Sequence, residues 1–172
     1  SSAVLNAKDK NQATVFCYHV NNPEQYGVID FDTNGKVLSI EEKPHKPKSN
    51  FALTGLYFFP NDVISKAPKV LPSKRGELEI TTLIEMYLNE DRLVVELMGR
   101  GYAWLDTGTH KKLLEASTFI EIIERRQGLK VACIEEIAFN KGYISRDQLL
   151  ELAKPLANNQ YGQYLLRCAE EN

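Results

Sequence analysis

Tyr26-Gly-Val-Ile-Asp-Phe-Asp-Thr-Asn-Gly-Lys-Val-Leu-Ser-Ile-Glu-Glu42 is the stretch on which the fold turns. Two short apolar-rich runs, Tyr26 to Phe31 and Lys36 to Glu41, flank Asp32-Thr33-Asn34-Gly35. Asn34 or Gly35 accepts a positive φ, so the pair predicts a β-hairpin. Working outward, Ala13-Thr-Val-Phe-Cys-Tyr-His-Val20 is rich in β-branched and aromatic residues and reads as a strand, stopped by Asn21-Asn22-Pro23. On the other side, Pro44-His45-Lys46-Pro47-Lys48 is a stiff polar loop, and Ala52 to Phe59 reads as a buried strand. Pro60 marks a helix start, with Val63 and Ile64 expected to face inward.

Further along, the period changes. Leu78, Leu83, Ile84, Tyr87 and Leu88 recur at helical spacing, so Arg75 to Thr82 leads into a helix ending near Leu88. Leu93 to Met98 and Tyr102 to Leu105 are expected strands. From Gly108 to Arg126 the spacing of Leu113, Leu114, Ala116, Thr118, Ile120 and Ile123 is helical, with Gly128 as its C-cap. Short helices are expected from about Ile134, Arg146 and Gly162. The reading is α/β: a mixed sheet with antiparallel character in residues 13–109, then a helical tail over 110–172. Residues 1–12 read as a polar lead-in, either a cloning remnant or a cut end. With no Gly-rich phosphate loop and no regular βαβ run, the β-rich part reads as a chain entered midway.

Bulk properties exclude several functions. The 172 residues are 43% hydrophobic and 26% charged, with a net charge of -2 and acids and bases interspersed. A nucleic-acid partner would need a basic face or stripe, and none is visible. No apolar run reaches the length of a membrane span, and no signal peptide opens the sequence. Cys17, Cys133 and Cys168 are far apart and lack metal-ligand spacing, so they read as reduced structural thiols of a cytosolic protein. His19, His45 and His110 do not pair at ligand spacing and receive no role.

Three segments carry candidate chemistry. In Glu41-Glu42-Lys43-Pro44, Glu42 can hold a sugar hydroxyl and Lys43 a phosphate, since an ammonium is a compact point charge. In a straight strand the two would face opposite ways, so this use needs a bend; a solvated charged loop fits the tetrapeptide as well. In Ser73-Lys74-Arg75-Gly76-Glu77-Leu78-Glu79, a basic pair before a helix start suits an anion, or else forms a turn with capping charges. In Trp104-Leu105-Asp106-Thr107-Gly108-Thr109, Asp106 ends an expected strand, where α/β folds place ligands. It can help hold Mg²⁺, which commonly takes one or two carboxylates plus substrate phosphates, or Asp106 or Thr107 can cap the next helix. Tyr26-Gly27 allows close approach of a ligand to the backbone, and a plain strand or bulge glycine fits equally. Trp104 reads as core packing.

Taken in order, these segments resemble the second half of bacterial glucose-1-phosphate thymidylyltransferases. The matching stretches are Tyr26 to Val28, Glu41 to Pro44, Thr54 to Phe58, Arg75 to Thr81 and Trp104 to Thr109. The likeness continues through Leu114 to Phe119, Glu124 to Gly128, Cys133 to Ala138 and Tyr161 to Leu165, and so spans Ala13 to about Leu166. The resemblance implies part of a Rossmann-like nucleotidyltransferase sheet, with a helical tail serving assembly or regulation. It implies an enzyme that makes dTDP-glucose and pyrophosphate from dTTP and α-D-glucose 1-phosphate, on the path to dTDP-L-rhamnose, with Mg²⁺ as cofactor. By the same resemblance, Lys43, Arg75 and Asp106 serve catalysis, Asp106 as one of two metal aspartates. Tyr26, Gly27, Glu42, Leu53, Thr54, Gly55 and Trp104 line the glucose site beside Lys43 and Arg75. A cytoplasmic homo-oligomer, a tetramer in the family, is implied too.

The sequence also departs from that pattern. The family's Leu-Ala-Gly-Gly-x-Gly-Thr-Arg-Leu loop and its Leu-Gly-Asp segment, which serve the nucleotide, do not occur in these 172 residues. The chain by itself is therefore expected to be inactive. Leu53 stands where a valine is common. Asn140 stands where an arginine associated with an effector nucleotide is often found, so feedback control is not implied here. The rival reading is a non-catalytic sugar-phosphate-binding or assembly module.

Overall fold

The computed structural model describes residues 8 to 171, so the first seven residues of the expected lead-in lie outside the described ones. The chain forms two compact units, one running to Trp104 and one from Leu105. The fold is mixed α/β, with a five-stranded sheet and six α-helices among the described residues.

The first unit holds the sheet. Its strands are β1 (Ala13–His19), β2 (Gly27–Phe31), β3 (Val37–Glu42), β4 (Phe51–Phe58) and β5 (Leu93–Met98). Their spatial order is β3-β2-β4-β1-β5. Every neighbouring pair is antiparallel except β1 with β5. The β2–β3 hairpin forms as expected, with Gly35 at φ +81°. Asp32 secures the turn: its Oδ1 accepts the N–H groups of Asn34 and Lys36, each at 2.8 Å. Register follows burial. Ile29 faces Ile40 and Cys17 faces Leu53, and these four join Val15 and Ile84 in one core cluster. Alternation along β1 puts Ala13, Val15 and Cys17 on one side of the sheet.

Two helices belong to this unit, α1 (Val63–Lys66) and α2 (Ile80–Asn89). Leu83, Ile84 and Tyr87 of α2 recur at i, i+1 and i+4 and are buried. Leu78 is exposed, because it precedes the helix and does not share its inward face. Ile64 is also exposed, against expectation. In the single turn of α1, Val63 takes the inward position against Ala13, Leu83 and Tyr87. The next residue is rotated by about 100° and points away. Tyr102 to Leu105 forms no strand, since its backbone finds no neighbouring strand among the described residues. Side chains hold the segment instead: the Trp104 indole N–H donates to the Thr54 carbonyl at 3.0 Å, and the Tyr18 hydroxyl donates to the Tyr102 carbonyl at 3.1 Å.

The second unit is helical: α3 (His110–Gln127), α4 (Ile134–Asn140), α5 (Arg146–Ala153) and α6 (Gln160–Glu171). Thr109 caps α3, its Oγ1 accepting from the Lys112 N–H at 3.3 Å; neither Asp106 nor Thr107 does so. An N-cap must directly precede the first helical residue, and α3 starts two residues later than expected. Gly128 ends the helix at φ +72°. Ser145 and Gln148 form a capping box on α5. Cys133, Leu149, Ala153, Tyr164, Leu165, Cys168 and Ala169 make the core. Of the six residues whose spacing marked α3 as helical, Ala116 is buried and Ile120 and Ile123 are half-buried, while Leu113, Leu114 and Thr118 are exposed. The core of this unit is made by α4, α5 and α6 with Cys133, and it takes up none of the α3 leucines. All three cysteines are free and buried, and burial pushes the Cys17 thiol up to about 12.

Candidate active site

Gly27 opens β2 directly opposite Glu42, the last residue of β3. A Cβ on Gly27 would lie 2.9 Å from Thr81 Cγ2, 3.0 Å from Leu53 Cδ1 and 3.3 Å from Glu42 Oε2. Only a glycine lets the strand, the helix start and the carboxylate converge this closely. Leu53 itself is buried in the sheet core. One residue beyond Glu42 the chain bends sharply: Lys43 has φ +43°, in the left-handed region, and its N–H donates to the Tyr26 carbonyl at 2.9 Å. That bend removes the strand alternation that would have separated Glu42 and Lys43.

Arg75 reaches the same place from the turn before α2. Ser73 and Gly76 close that turn, with Gly76 at φ +78° and its N–H on the Ser73 carbonyl at 2.9 Å. The Arg75 guanidinium touches three carboxylates: Glu77 at 2.9 Å, Glu79 at 3.4 Å and Glu42 at 3.8 Å. Glu79 is buried and also accepts from the Ser73 hydroxyl at 2.9 Å. Burial, and then the neighbouring charge of Glu79, hold the Glu42 carboxyl above its ordinary range. A hydrogen bond from Thr81 and the charges of Lys43 and Arg75 oppose that rise. The arrangement is a pair of carboxylates, suited to accepting hydrogen bonds from hydroxyls, beside two cations suited to an anion.

Trp104 forms the aromatic border. Its ring stands edge-on to Tyr26 at 5.1 Å and lies 6.2 Å from Tyr18. The Thr54 carbonyl is engaged by the Trp104 indole, and the Thr54 hydroxyl donates to the Phe16 carbonyl at 3.0 Å. Gly55 follows in the left-handed region at φ +83° and is exposed. Tyr26, Gly27, Glu42, Lys43, Leu53, Thr54, Gly55, Arg75 and Trp104 therefore all lie in the first unit. Sequence reasoning assigned nothing to Glu79, Thr81 and Ser73. Glu79 and Thr81 sit inside the quoted Arg75 to Thr81 motif, and Glu79 is spaced i+4 from Arg75, which was the available signal.

Asp106 belongs to the second unit. Its Oδ1 accepts the Gly108 N–H at 3.0 Å, and its Oδ2 accepts from the Lys112 ammonium at 2.7 Å. No group of three or more metal-ligating side chains occurs among the described residues. Asp106 thus supplies one carboxylate, already matched to the Lys112 cation, and the described residues by themselves do not make a Mg²⁺ site. Asn140 is the last residue of α4.

The profile of the nucleotidyl transferase family matches residues 1–122. The chain belongs to that family. Among curated relatives, a glucose-1-phosphate thymidylyltransferase of Neisseria meningitidis is 52% identical over 94% of this chain. Relatives of the same name from Xanthomonas campestris and Mycobacterium tuberculosis are 57% and 51% identical over 92%. The chain spans just over half the length of these relatives, 56%, 54% and 55% respectively. Among solved structures, a Bacillus anthracis glucose-1-phosphate thymidylyltransferase in complex with a sucrose is 39% identical, with a TM-score of 0.57 over 64% of this chain and 44% of its own. A UDP-glucose pyrophosphorylase complexed with UDP-glucose shares the fold at 24% identity, with a TM-score of 0.55 over 63% of this chain and 44% of its own. No described helix of the chain is long and apolar enough to cross a membrane.

Proposed function

We propose that this chain forms the sugar-phosphate half of a glucose-1-phosphate thymidylyltransferase site. The observation that carries the reading is the bend at Lys43, which turns the chain beside Glu42, Arg75, Glu79 and Gly27. The relatives named for this activity give it its chemical identity. In this reading Glu42 and Glu79 accept hydrogen bonds from glucose hydroxyls, and Gly27 lets β2 and the start of α2 close around Glu42. Lys43 and Arg75 bind the phosphate, Lys43 as a point charge and Arg75 as a fork. Trp104 and Tyr26 wall the site. The role of these groups is to orient a phosphate oxygen for in-line attack on the α-phosphorus of dTTP, work that needs positioning and charge neutralisation rather than covalent chemistry.

Asp106 would serve as one carboxylate for Mg²⁺, which neutralises charge on the transferring phosphates when bound. The nucleotide's own cradle and a second carboxylate would come from the part that the longer relatives have and these residues do not cover. A cytoplasmic homo-oligomer, tetrameric, acting toward dTDP-L-rhamnose belongs to the same proposal.

The test is a nuclear magnetic resonance titration of the 172-residue chain with glucose 1-phosphate. Shifts should concentrate on Gly27, Lys43 and Arg75, and Lys43→Ala should weaken binding without lowering the melting temperature. Equal shifts in the parent and in Lys43→Ala, or shifts confined to the helical unit, would sink the reading.

A further inference from the structure

Glu79 immediately precedes α2, the position from which a carboxylate caps a helix by accepting one of its first N–H groups. No such side-chain bond forms here. The Glu79 side chain stands instead beside Glu42 and Arg75, and it is only 9% exposed. Its Oε1 accepts from the Ser73 hydroxyl at 2.9 Å and from the Arg75 guanidinium at 3.4 Å. Its Oε2 has no hydrogen-bond partner among the described residues. Nor is Oε2 sealed off, since the fully buried side-chain atoms without a partner are Thr14 Oγ1 and Arg92 Nη2. Leaving a shielded carboxylate oxygen unbonded is costly unless a donor meets it. The Ser73 hydroxyl decides which oxygen that is. A serine hydroxyl has one proton to give. The Arg75 backbone N–H donates to its oxygen at 3.1 Å, and the proton goes to Glu79. Ser73 is itself fixed, its N–H on the Glu77 carbonyl at 2.8 Å and its carbonyl under the Gly76 N–H at 2.9 Å.

We propose that Ser73 is a positioning residue for the sugar: its hydroxyl, together with Arg75, occupies Oε1 of Glu79 and so presents Oε2 to a hydroxyl of the bound sugar. The inference rests on reading this site as a sugar-phosphate site. Of the two donors on Oε1 the serine is the closer, and the guanidinium is longer than a strong charge-assisted bond. Without the hydroxyl, the carboxylate can turn both oxygens to the guanidinium as a two-pronged pair. The sugar would then lose its acceptor, and Arg75 would be held by Glu79 rather than offered to the phosphate. With the hydroxyl in place, one oxygen anchors the side chain and the other serves the ligand.

Nuclear magnetic resonance titrations of the full 172-residue chain read this, with glucose 1-phosphate and inorganic phosphate as the two probes. The variants are Ser73→Ala, Ser73→Thr, Glu79→Ala and the double variant Ser73→Ala with Glu79→Ala, each checked by thermal melting. A hydrogen bond to a charged group is the stronger kind, so Ser73→Ala should weaken glucose 1-phosphate binding about tenfold. Inorganic phosphate carries no sugar hydroxyl and should change by less than about twofold, and Ser73→Thr, which keeps the donor, should bind both probes like the parent. In the Glu79→Ala background, Ser73→Ala should cost less than about a further twofold, since its effect runs through a carboxylate already removed. If Ser73→Ala melts early, Ser73→Val is compared with Ser73→Thr, which matches it in shape and differs in the hydroxyl. Equal weakening of both probes in Ser73→Ala, or losses that simply add in the double variant, would overturn the proposal. If Ser73→Ala binds both probes like the parent while Lys43→Ala still weakens glucose 1-phosphate, the role of Ser73 falls and the sugar-phosphate reading stands. If glucose 1-phosphate shifts nothing in the parent, both fall.

Discussion

Replacing Gly27 with alanine should destabilise the sheet unit, and the structure says by how much and through which contact. The added methyl would meet two carbons at 2.9 and 3.0 Å, Thr81 Cγ2 and Leu53 Cδ1. Ordinary carbon contacts lie at about 3.5–4.0 Å, so both neighbours must give by at least about 0.5 Å. Thr81 is held in the first turn of α2 and Leu53 in the middle of a paired strand, so neither moves freely. Overpacking of this kind costs about 1–3 kcal/mol. Restricting the unfolded chain recovers about 0.4–1 kcal/mol. The net loss should be about 1–2 kcal/mol. With a urea dependence of about 1–3 kcal/mol per molar, the midpoint should fall by roughly 0.3–2 M. Trp104 is the single tryptophan and lies in the sheet unit, so its fluorescence reports this transition. Thr81→Ser removes the offending methyl and keeps the hydroxyl. Combined with Gly27→Ala, it should recover half or more of the loss. An unchanged midpoint in Gly27→Ala, or no recovery in the double variant, would refute the close-approach argument.

Other expectations follow from the same geometry. Gly162→Ala should be far worse, since its Cβ would fall 2.0 Å from the Leu156 carbonyl oxygen, a backbone atom; a loss of about 3 kcal/mol or more is expected in far-ultraviolet melting, and a melt like the parent's would contradict the placement of α6. Glu42 binds its proton more tightly folded than unfolded, so its ionisation costs the folded state stability as pH rises out of the ordinary glutamate range, near about 4.3, and through its raised value. Glu42→Gln should therefore gain stability relative to the parent between pH 4 and pH 7 in urea titrations, and a flat difference would remove the case for a carboxylate held above its ordinary range. The 172-residue chain mixed with dTTP, glucose 1-phosphate and Mg²⁺ should form no dTDP-glucose by chromatography, because catalysis needs both substrates held together. In a full-length relative carrying these residues, Asp106→Asn should lower turnover by about 10²-fold or more, and near-normal turnover at saturating Mg²⁺ in a folded variant would end the metal assignment.

The sequence by itself determined the elements and most of their limits. The β-branched and aromatic run of β1, the Asp32-Thr33-Asn34-Gly35 turn and the helical row ending in Gly128 are local properties, and local sterics and hydrogen bonds decide them. It also carried the family likeness, because ordered motifs survive without any knowledge of contacts. Tertiary structure decided what each residue touches. Tyr102 to Leu105 has strand-like composition, but pairing needs a neighbour, and Trp104 found the Thr54 carbonyl instead. Ile64 and Leu78 are apolar, but the turn of α1 and the start of α2 left them outside. Glu79 and Thr81 looked like links in a motif, until packing around Gly27 brought them to Glu42. A bend after Glu42 was anticipated, but not that Lys43 itself makes it, since a lysine at positive φ is disfavoured locally and is adopted only where the surroundings impose it. Pattern reads what a residue prefers, whereas burial, charge pairing and close approach depend on residues far away in the chain, and only the folded chain assembles them.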